Sequence, residues 1–367
     1  MTLLTTTLIS PFSVTTLSEE DWELLIRQAR AANLLGRLYY LFSFNKLTQN
    51  IEEKYLWHFE SAYRHADRLK KNALREIDEL TSALGQINVK PIFLKGAAYQ
   101  AANLPCSNGR LMSDIDLLVD KNVLSQVQSH LRTHSWIPTA IDDYDEKYYR
   151  EWMHEIPPLK HAVRLTTLDV HHNILPLTNK RVIDPNRLNY KIVYHEWFGE
   201  VLTLDPLDTV IHSSVHLFTE SEFPNGLRDL SDLDMLIRHF SAHDEDFINQ
   251  LVVRAKTLNL SNYLSLTLRY TNLIFNTPML NLSEPLGNSN LNSIMTRSFW
   301  DFCYTNIFKP HHSSTKNIDM RLAKFILYCR GHLIKMPLRI LLPHLATKSY
   351  KQLKDLVTQS NSSKNTI

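Results

Sequence analysis

Asp114 and Asp116, in the run Ser113-Asp114-Ile115-Asp116-Leu117-Leu118-Val119, are the residues whose type and spacing point most directly to chemistry. Alternate side chains of a strand share a face, so both carboxylates project one way while Ile115 and Leu117 project the other. At about 3.3 Å rise per residue their Cα atoms lie roughly 7 Å apart, a span over which two carboxylates can grip one hard cation or bracket a pair. Two such charges repel each other, and a divalent metal is the natural compensation. Upstream, Ile92-Phe93-Leu94 reads as a short buried strand with Lys95, and Gly96–Asn103 as a short helix that stops before Pro105. A helix starting at Gly96 offers backbone N–H groups to an anion, with Lys95 as a point charge beside it. Phosphate on one side and metal on the other is the layout of phosphoryl and nucleotidyl transfer. The competing reading of an Asp-x-Asp strand is an exposed edge kept in water by its charges; the upstream half argues against it.

The segments Leu94-Lys95-Gly96-Ala97-Ala98 and Gly109-Arg110-Leu111-Met112-Ser113-Asp114-Ile115-Asp116-Leu117-Leu118-Val119 together resemble the signature of the uncharacterised bacterial nucleotidyltransferase family of the polymerase-β superfamily. The resemblance implies a mostly helical α+β fold, a polymerase-β-like nucleotidyltransferase core with a small mixed sheet between N-terminal and C-terminal helical regions. It implies a metal-dependent enzyme that moves an NMP group from an NTP, ATP among the candidates, to a hydroxyl acceptor with release of pyrophosphate. Mg²⁺ or Mn²⁺ would be held by Asp114, Asp116 and a third acid on a later strand. The wider superfamily has Gly-Ser at the helix start, whereas Gly96 is followed by Ala97. Lys95, the Gly96 amide, Arg110 and Ser113 must then hold the triphosphate without that hydroxyl.

The next landmark is Ala162–Ile174, AVRLTTLDVHHNI. Strand alternation puts Thr167, Asp169 and His171 on one face and Leu168, Val170 and His172 on the other. Asp169 is the candidate for the third metal carboxylate, matching the later-strand acid of the family. His171, on the same side, is read as a base, a partner behind the metal ligands or a phosphate contact. His212 and His216 are four residues apart in a helical stretch, a spacing compatible with metal binding, but no third ligand accompanies them and packing is the expectation. Asp232 fits an "L-x-D-L" helix that the family often shows; it would hold a substrate amine or an active-site arginine, or form a buried salt bridge to the core.

The elements that must position these groups are mainly helical. After an extended start, Ser18 caps a helix with Glu19, Glu20 and Asp21 in its first turn. A second helix covers Leu34–Phe44, and Asn50–Gln86 carries apolar residues at helical spacing over its whole length. The basic run Arg68-Lys70-Lys71-Arg75 reads as a solvated helix face. Around the aspartates the hydrophobic period alternates between two and about 3.6, the pattern of an α/β unit: strand Ile92–Lys95, helix Gly96–Asn103, strand Ile115–Val119, helix Lys121–His134 and a strand opening at Trp136. Asp142–Glu146 is an acidic turn or helix start, and Tyr148–Ile156 a lid, a substrate wall or a packing segment. From Asp205 the pattern is helical: Asp205–Thr219, Leu227–Phe240 and one stretch Asn249–Phe275, with Asn276–Asn292 as a loop. Regions 1–88, 89–200 and 201–354 are thus an N-terminal helical region, the α/β core and a C-terminal helical domain; 355–367 is expected to be disordered.

A chain of 367 residues can bury a sizeable core. Its formal charge of +2 gives no global affinity for polyanions. Cys106, Cys303 and Cys329 are odd in number and far apart, which excludes a disulfide framework or zinc-type cysteine spacing and fits reduced thiols in the cytoplasm. MTLLTTTLISPFSV lacks a basic leader and breaks at Pro11, so no secretory signal is expected, and no window approaches a membrane-spanning length. Between Met320 and Lys354 lie eight Lys or Arg and no Asp or Glu. This basic amphipathic segment would meet an anionic membrane surface or polyanion, or dock on the body with its basic face solvated. The acceptor stays open: a small molecule, a sugar intermediate, a protein side chain or an RNA end. Two alternatives to the general transferase are a nucleotide-binding regulatory or scaffold module and an RNA-directed, toxin-like or tRNA-modifying enzyme. The RNA-directed reading places the basic segment in the same cleft as Asp114.

Overall fold

The computed structural model describes residues 1–139, 142–278 and 294–347. The expected tail at 355–367, most of the expected loop at Asn276–Asn292 and the end of the basic segment lie outside these residues. The strands are β1 (Ile92–Phe93), β2 (Asp114–Leu118), β3 (Trp136–Pro138), β4 (Leu159–His161), β5 (Thr167–His171), β6 (Tyr190–His195) and β7 (Gly199–Leu204). The helices are α1 (Leu3–Ile9), α2 (Glu19–Ala31), α3 (Leu35–Phe44), α4 (Glu53–Gly85), α5 (Lys95–Ala101), α6 (Leu124–Thr133), α7 (Asp143–Trp152), α8 (Pro206–Thr219), α9 (Gly226–His243), α10 (Phe247–Thr257), α11 (Ser261–Phe275), α12 (Ile294–Ile307) and α13 (Ile318–Lys335), with a further helical run at 338–347. A mostly helical chain around a small mixed sheet is the architecture expected from the sequence.

The strands form one sheet in the order β3-β4-β5-β2-β1-β7-β6. Its centre is mixed: β2 runs parallel to β5 and antiparallel to β1, and β1 runs parallel to β7. The β2–β5 register pairs Asp114 with Thr167, Asp116 with Asp169 and Leu118 with His171. Because side chains alternate, that pairing brings the acids of both strands to one face. The opposite face buries Ile115, Leu117, Leu168 and Val170 against Val127 and Leu131 of α6 and Ile77 and Leu80 of α4. A second apolar cluster joins α2 and α3 to α8, α9 and α11 through residues such as Phe42, Phe59, Phe218 and Leu236. The first and last thirds of the chain therefore share one core.

Several expected elements are shifted or divided. The start is helical: Thr2 and Thr5 form a reciprocal capping box and Leu4 is fully buried, so tertiary burial overrides the weak helix propensity of the threonines. Strand β1 is only two residues long, and α5 begins at Lys95 rather than Gly96. The stretch Asn249–Phe275 is divided into α10 and α11, because Asn259 adopts left-handed φ +59° between them. Helix α4 is unbroken over 33 residues. On its basic run Lys71 pairs with Asp67 at 2.8 Å and Arg75 approaches Glu79 at 4.0 Å, as befits a solvated face.

Helix α13 docks on the body through buried Met320, Ala323 and Leu327, and its Arg330 donates to the Phe218 carbonyl at 2.8 Å. Gly331 is required there, since a Cβ would come within 2.7 Å of Ser221. Arg321 and Lys324 stay exposed, and so do Ile318, Leu322 and Phe325. No helix among the described residues is long and apolar enough to cross a membrane.

Candidate functional site

Asp116 is the buried centre of the site, 4% exposed. Its Oδ1 accepts from Lys95 Nζ at 2.6 Å and from His171 Nε2 at 2.9 Å. Burial disfavours its charge, but the lysine and imidazole outweigh burial and hold its carboxyl far below the usual range. The same contact raises the Lys95 ammonium against its own burial. Lys95 therefore neutralises an acid as well as facing the cleft. Its backbone has φ +45°, a left-handed conformation that costs a non-glycine residue of order 1–3 kcal/mol and is characteristic of functional turns.

Asp169 stands opposite Asp116 in the β2–β5 register and has no cationic partner of that kind. Its Oδ1 is buried without a hydrogen bond. Burial, then the charges of Asp116 and Glu155, push its pKa up to about 7. Asp114, half-buried, accepts from the Ser113 hydroxyl at 3.0 Å. His171 shares the acidic face, as strand alternation requires. Burial opposes its protonation, while the bond to Asp116 and the charge of Glu155 favour it, with a net upward shift.

Arg110 is fixed from three sides. Its Nε donates to Asp232 Oδ2 at 2.7 Å, Asp229 lies 3.6 Å from its Nη2, and its guanidinium sits 5.7 Å from the Tyr99 ring centroid. Asp232, 2% exposed, also binds Arg37 at 2.7 Å, so the two arginines share one carboxylate. Burial disfavours the Asp232 charge, and the cations more than compensate, lowering its pKa. Of the alternatives open for Asp232, the structure shows an acid that holds the cleft arginine and a core arginine together. Gly96 makes room for this arrangement: a Cβ there would lie 2.8 Å from Arg110 Nη1 and 3.2 Å from Met112 Cε. Gly109, at φ +66°, lets the loop before Arg110 press against Gly36 at the start of α3, where a Cβ on Gly109 would lie 2.2 Å from the Gly36 oxygen.

Lys95, Gly96, Arg110, Ser113, Asp114 and Asp116 line one cleft, closed on its other side by α8 and the start of α9. Asp169 and His171 stand behind Asp116. None of the described residues of the basic segment lines this cleft. His216 does line it, while His212 is buried; burial, then the Lys95 charge, lowers the pKa of both, that of His212 to about 3. His172 faces away from the acids, and its backbone N–H donates to the His154 carbonyl at 2.8 Å.

Sequence reasoning missed Glu155, His154, Arg228 and Asp229. Glu155 comes within 3.4 Å of His171 Nδ1 through an antiparallel bridge between residues 155 and 171. The available signal was the position of His154-Glu155 in the aromatic Tyr148–Ile156 segment. Arg228 and Asp229 enter the cleft from the first turn of α9 and pair with each other at 2.8 Å.

No curated protein matches the chain. Among solved structures, it is similar to an antigenic nucleotidyltransferase-like protein from Paracoccidioides brasiliensis at 14% identity and a TM-score of 0.32, over 57% of this chain and 97% of that one. The family described as "Uncharacterised nucleotidyltransferase" matches residues 18–276, a span that contains all the acids and cations placed above. The chain belongs to that nucleotidyltransferase family.

Proposed function

We propose that this protein is a metal-dependent nucleotidyltransferase that moves an NMP group from an NTP to an acceptor hydroxyl and releases pyrophosphate. The observation that carries the reading is the in-register pair Asp116 and Asp169 with Asp114 beside it, the Oδ1 of Asp169 being buried without a hydrogen bond. The fit to divalent cations is chemical. Three carboxylates form a hard oxygen donor set, and a cation would give Asp169 Oδ1 the partner it lacks. Asp114, Asp116 and Asp169 would hold the ions. Bound there, Mg²⁺ or Mn²⁺ supplies positive charge to the phosphate oxygens and acidity to the acceptor hydroxyl.

The side chains then divide the work. Lys95 keeps Asp116 ionised and presents its ammonium to the β- and γ-phosphates. Arg110 has its Nε committed to Asp232, which leaves the Nη groups, with only long contacts of 3.5 and 3.6 Å, to meet phosphate oxygens. It thus stands in for the hydroxyl that Ala97 cannot provide, with the Gly96 amide and Ser113 beside it. The acceptor oxygen bonds to the α-phosphorus in line as the bond to the bridging oxygen of pyrophosphate breaks. Its proton would pass to the Asp169 carboxylate oxygen not engaged by the cation, the bound ion making the hydroxyl easier to deprotonate. His171 holds Asp116 in orientation through Nε2.

The module reading draws on the missing hydroxyl at Ala97 and on the engagement of Lys95 by Asp116. Against it, a binding module has no need of three mutually repelling acids. The RNA-directed reading draws no support from the basic segment, whose described residues lie outside the cleft. The deciding experiment measures Mg²⁺- or Mn²⁺-dependent pyrophosphate release from each of the four NTPs, for wild type and Asp116→Ala, with and without cell extract as acceptor source. Release that vanishes in the variant establishes transfer. Metal-dependent nucleotide binding without release under any condition favours the module.

A further inference from the structure

His171 uses only one of its ring nitrogens on Asp116. The other, Nδ1, is buried and has no hydrogen-bond partner, and the residue is 1% exposed. Beside it, His154 Nδ1 is likewise buried and unpartnered, with the two rings 5.2 Å apart between centroids. Glu155 Oε2 lies 3.4 Å from His171 Nδ1. The three residues offer ligand atoms that all lie within 4.8 Å of one another. Buried polar atoms are rarely left unpaired, because each has given up its water without a replacement partner. Two imidazole nitrogens in this state, with a carboxylate beside them, call for a common partner.

We propose that His154, Glu155 and His171 form a binding site for a transition-series divalent cation of the Zn²⁺ type, distinct from the hard-cation site of the three aspartates. The donor set selects the ion: imidazole suits zinc and its neighbours, while magnesium prefers oxygen alone. The spacing agrees. Ligands about 2.1 Å from a tetrahedral ion are separated by roughly 3.4 Å, the distance between His171 Nδ1 and Glu155 Oε2, whereas a charge-assisted hydrogen bond would draw these atoms to about 2.7–2.9 Å.

The backbone builds the site in advance. Residues 155 and 171 form an antiparallel bridge, Ile156 N donates to the Val170 carbonyl at 3.0 Å, and His172 N donates to the His154 carbonyl at 2.8 Å. Asp116 binding the far nitrogen of His171 completes a carboxylate–histidine–metal relay, which fixes the ring and directs the Nδ1 lone pair to the ion. Three protein ligands leave a fourth position for water or substrate. Through His171 the ion would also be coupled to the carboxylate at the centre of the cleft. The proposal does not depend on transfer activity and stands if the protein binds nucleotide without turnover.

The test starts from chelator-stripped full-length protein titrated with Zn²⁺ and with Co²⁺, followed by calorimetry and by the visible spectrum of tetrahedral Co²⁺. One tight equivalent is expected, with X-ray absorption of the zinc-loaded wild type showing two imidazoles in the first shell. His154→Gln and Glu155→Gln should each weaken that equivalent by at least about 100-fold, the upper end of what losing even an outer-shell partner costs. Asp114→Asn should keep it while losing Mg²⁺-dependent nucleotide binding, which separates failure of this site from failure of the transferase reading. Thermal melts confirm that the variants fold, and the absorption measurement needs only the wild type. No tight equivalent, an all-oxygen shell, unchanged affinity in both the His154 and Glu155 variants, or loss of the equivalent in Asp114→Asn would each overturn the proposal.

Discussion

Asp116 and Asp169 occupy partnered positions on adjacent parallel strands, yet their environments drive their affinities for protons in opposite directions. Asp116 has Lys95 and His171; Asp169 has burial and two neighbouring acids. Two carboxylates on one face thereby acquire different ground states.

The first prediction follows from the sign of the Asp169 shift. Its folded pKa, about 7, lies above the ordinary carboxylate value, so the folded protein binds more protons than the unfolded chain between about pH 4 and 7. Stability from this group is therefore present at low pH and lost as pH rises through that window. Metal-free Asp169→Asn should gain on the order of 2 kcal/mol over wild type at pH 8 and little at pH 4. Urea unfolding at the two pH values checks this, and an equal effect at both would refute it.

Asp232 is the common partner of two buried cations. Replacing it by Ala strands Arg37 and Arg110 together and should cost about 3–5 kcal/mol. Arg110→Met should cost far less, since Asp232 keeps Arg37, but should weaken NTP binding by at least about tenfold, or about 1.4 kcal/mol. Denaturation and nucleotide titration on both variants separate the two effects.

Gly96→Ala would ordinarily stabilise a helical position. Here the new Cβ meets Arg110 Nη1 at 2.8 Å and must push that group aside. The expected result is a change in stability within about 1 kcal/mol and a clear loss of nucleotide affinity. Unchanged affinity would show that the position of Arg110 is not set by this contact.

Helix α13 turns Ile318, Leu322 and Phe325 to solvent, flanked by exposed Arg321 and Lys324. An apolar stripe with a basic border is complementary to an anionic lipid surface. Vesicles containing phosphatidylglycerol should retain the protein in sedimentation and phosphatidylcholine vesicles should not, with Phe325→Glu releasing it. Dimerisation through this face, seen by light scattering and abolished by the same variant without any vesicle binding, would reject the lipid.

Much of this site is legible in local sequence because strand alternation is a strict rule. It assigns Asp114, Asp116, Asp169 and His171 to one side without knowledge of the neighbours, and Lys95-Gly96 is punctuated by composition alone. What escaped depends on tertiary pairing. Strand β6 is largely exposed and shows no alternation, so the β6–β7 hairpin leaves little trace in the hydrophobic pattern. His154 and Glu155 reach the acids only through a bridge to residue 171. The break between α10 and α11 rests on one asparagine in a left-handed turn, and α1 on a capping box in a threonine-rich run that propensity disfavours.

The contact between Gly36 and Gly109 bears on how this protein can be taken apart. Neither residue tolerates a side chain there, so the loop carrying Arg110 is moulded to the N-terminal helices, while Asp232 of α9 anchors the arginine itself. A fragment limited to residues 89–200 would carry the aspartates but have nothing to aim the arginine. Presenting the aspartates beside a fixed Arg110 thus takes elements from α3 through α9, and grafting the aspartate strands onto another scaffold would carry the acids across without the position of the arginine.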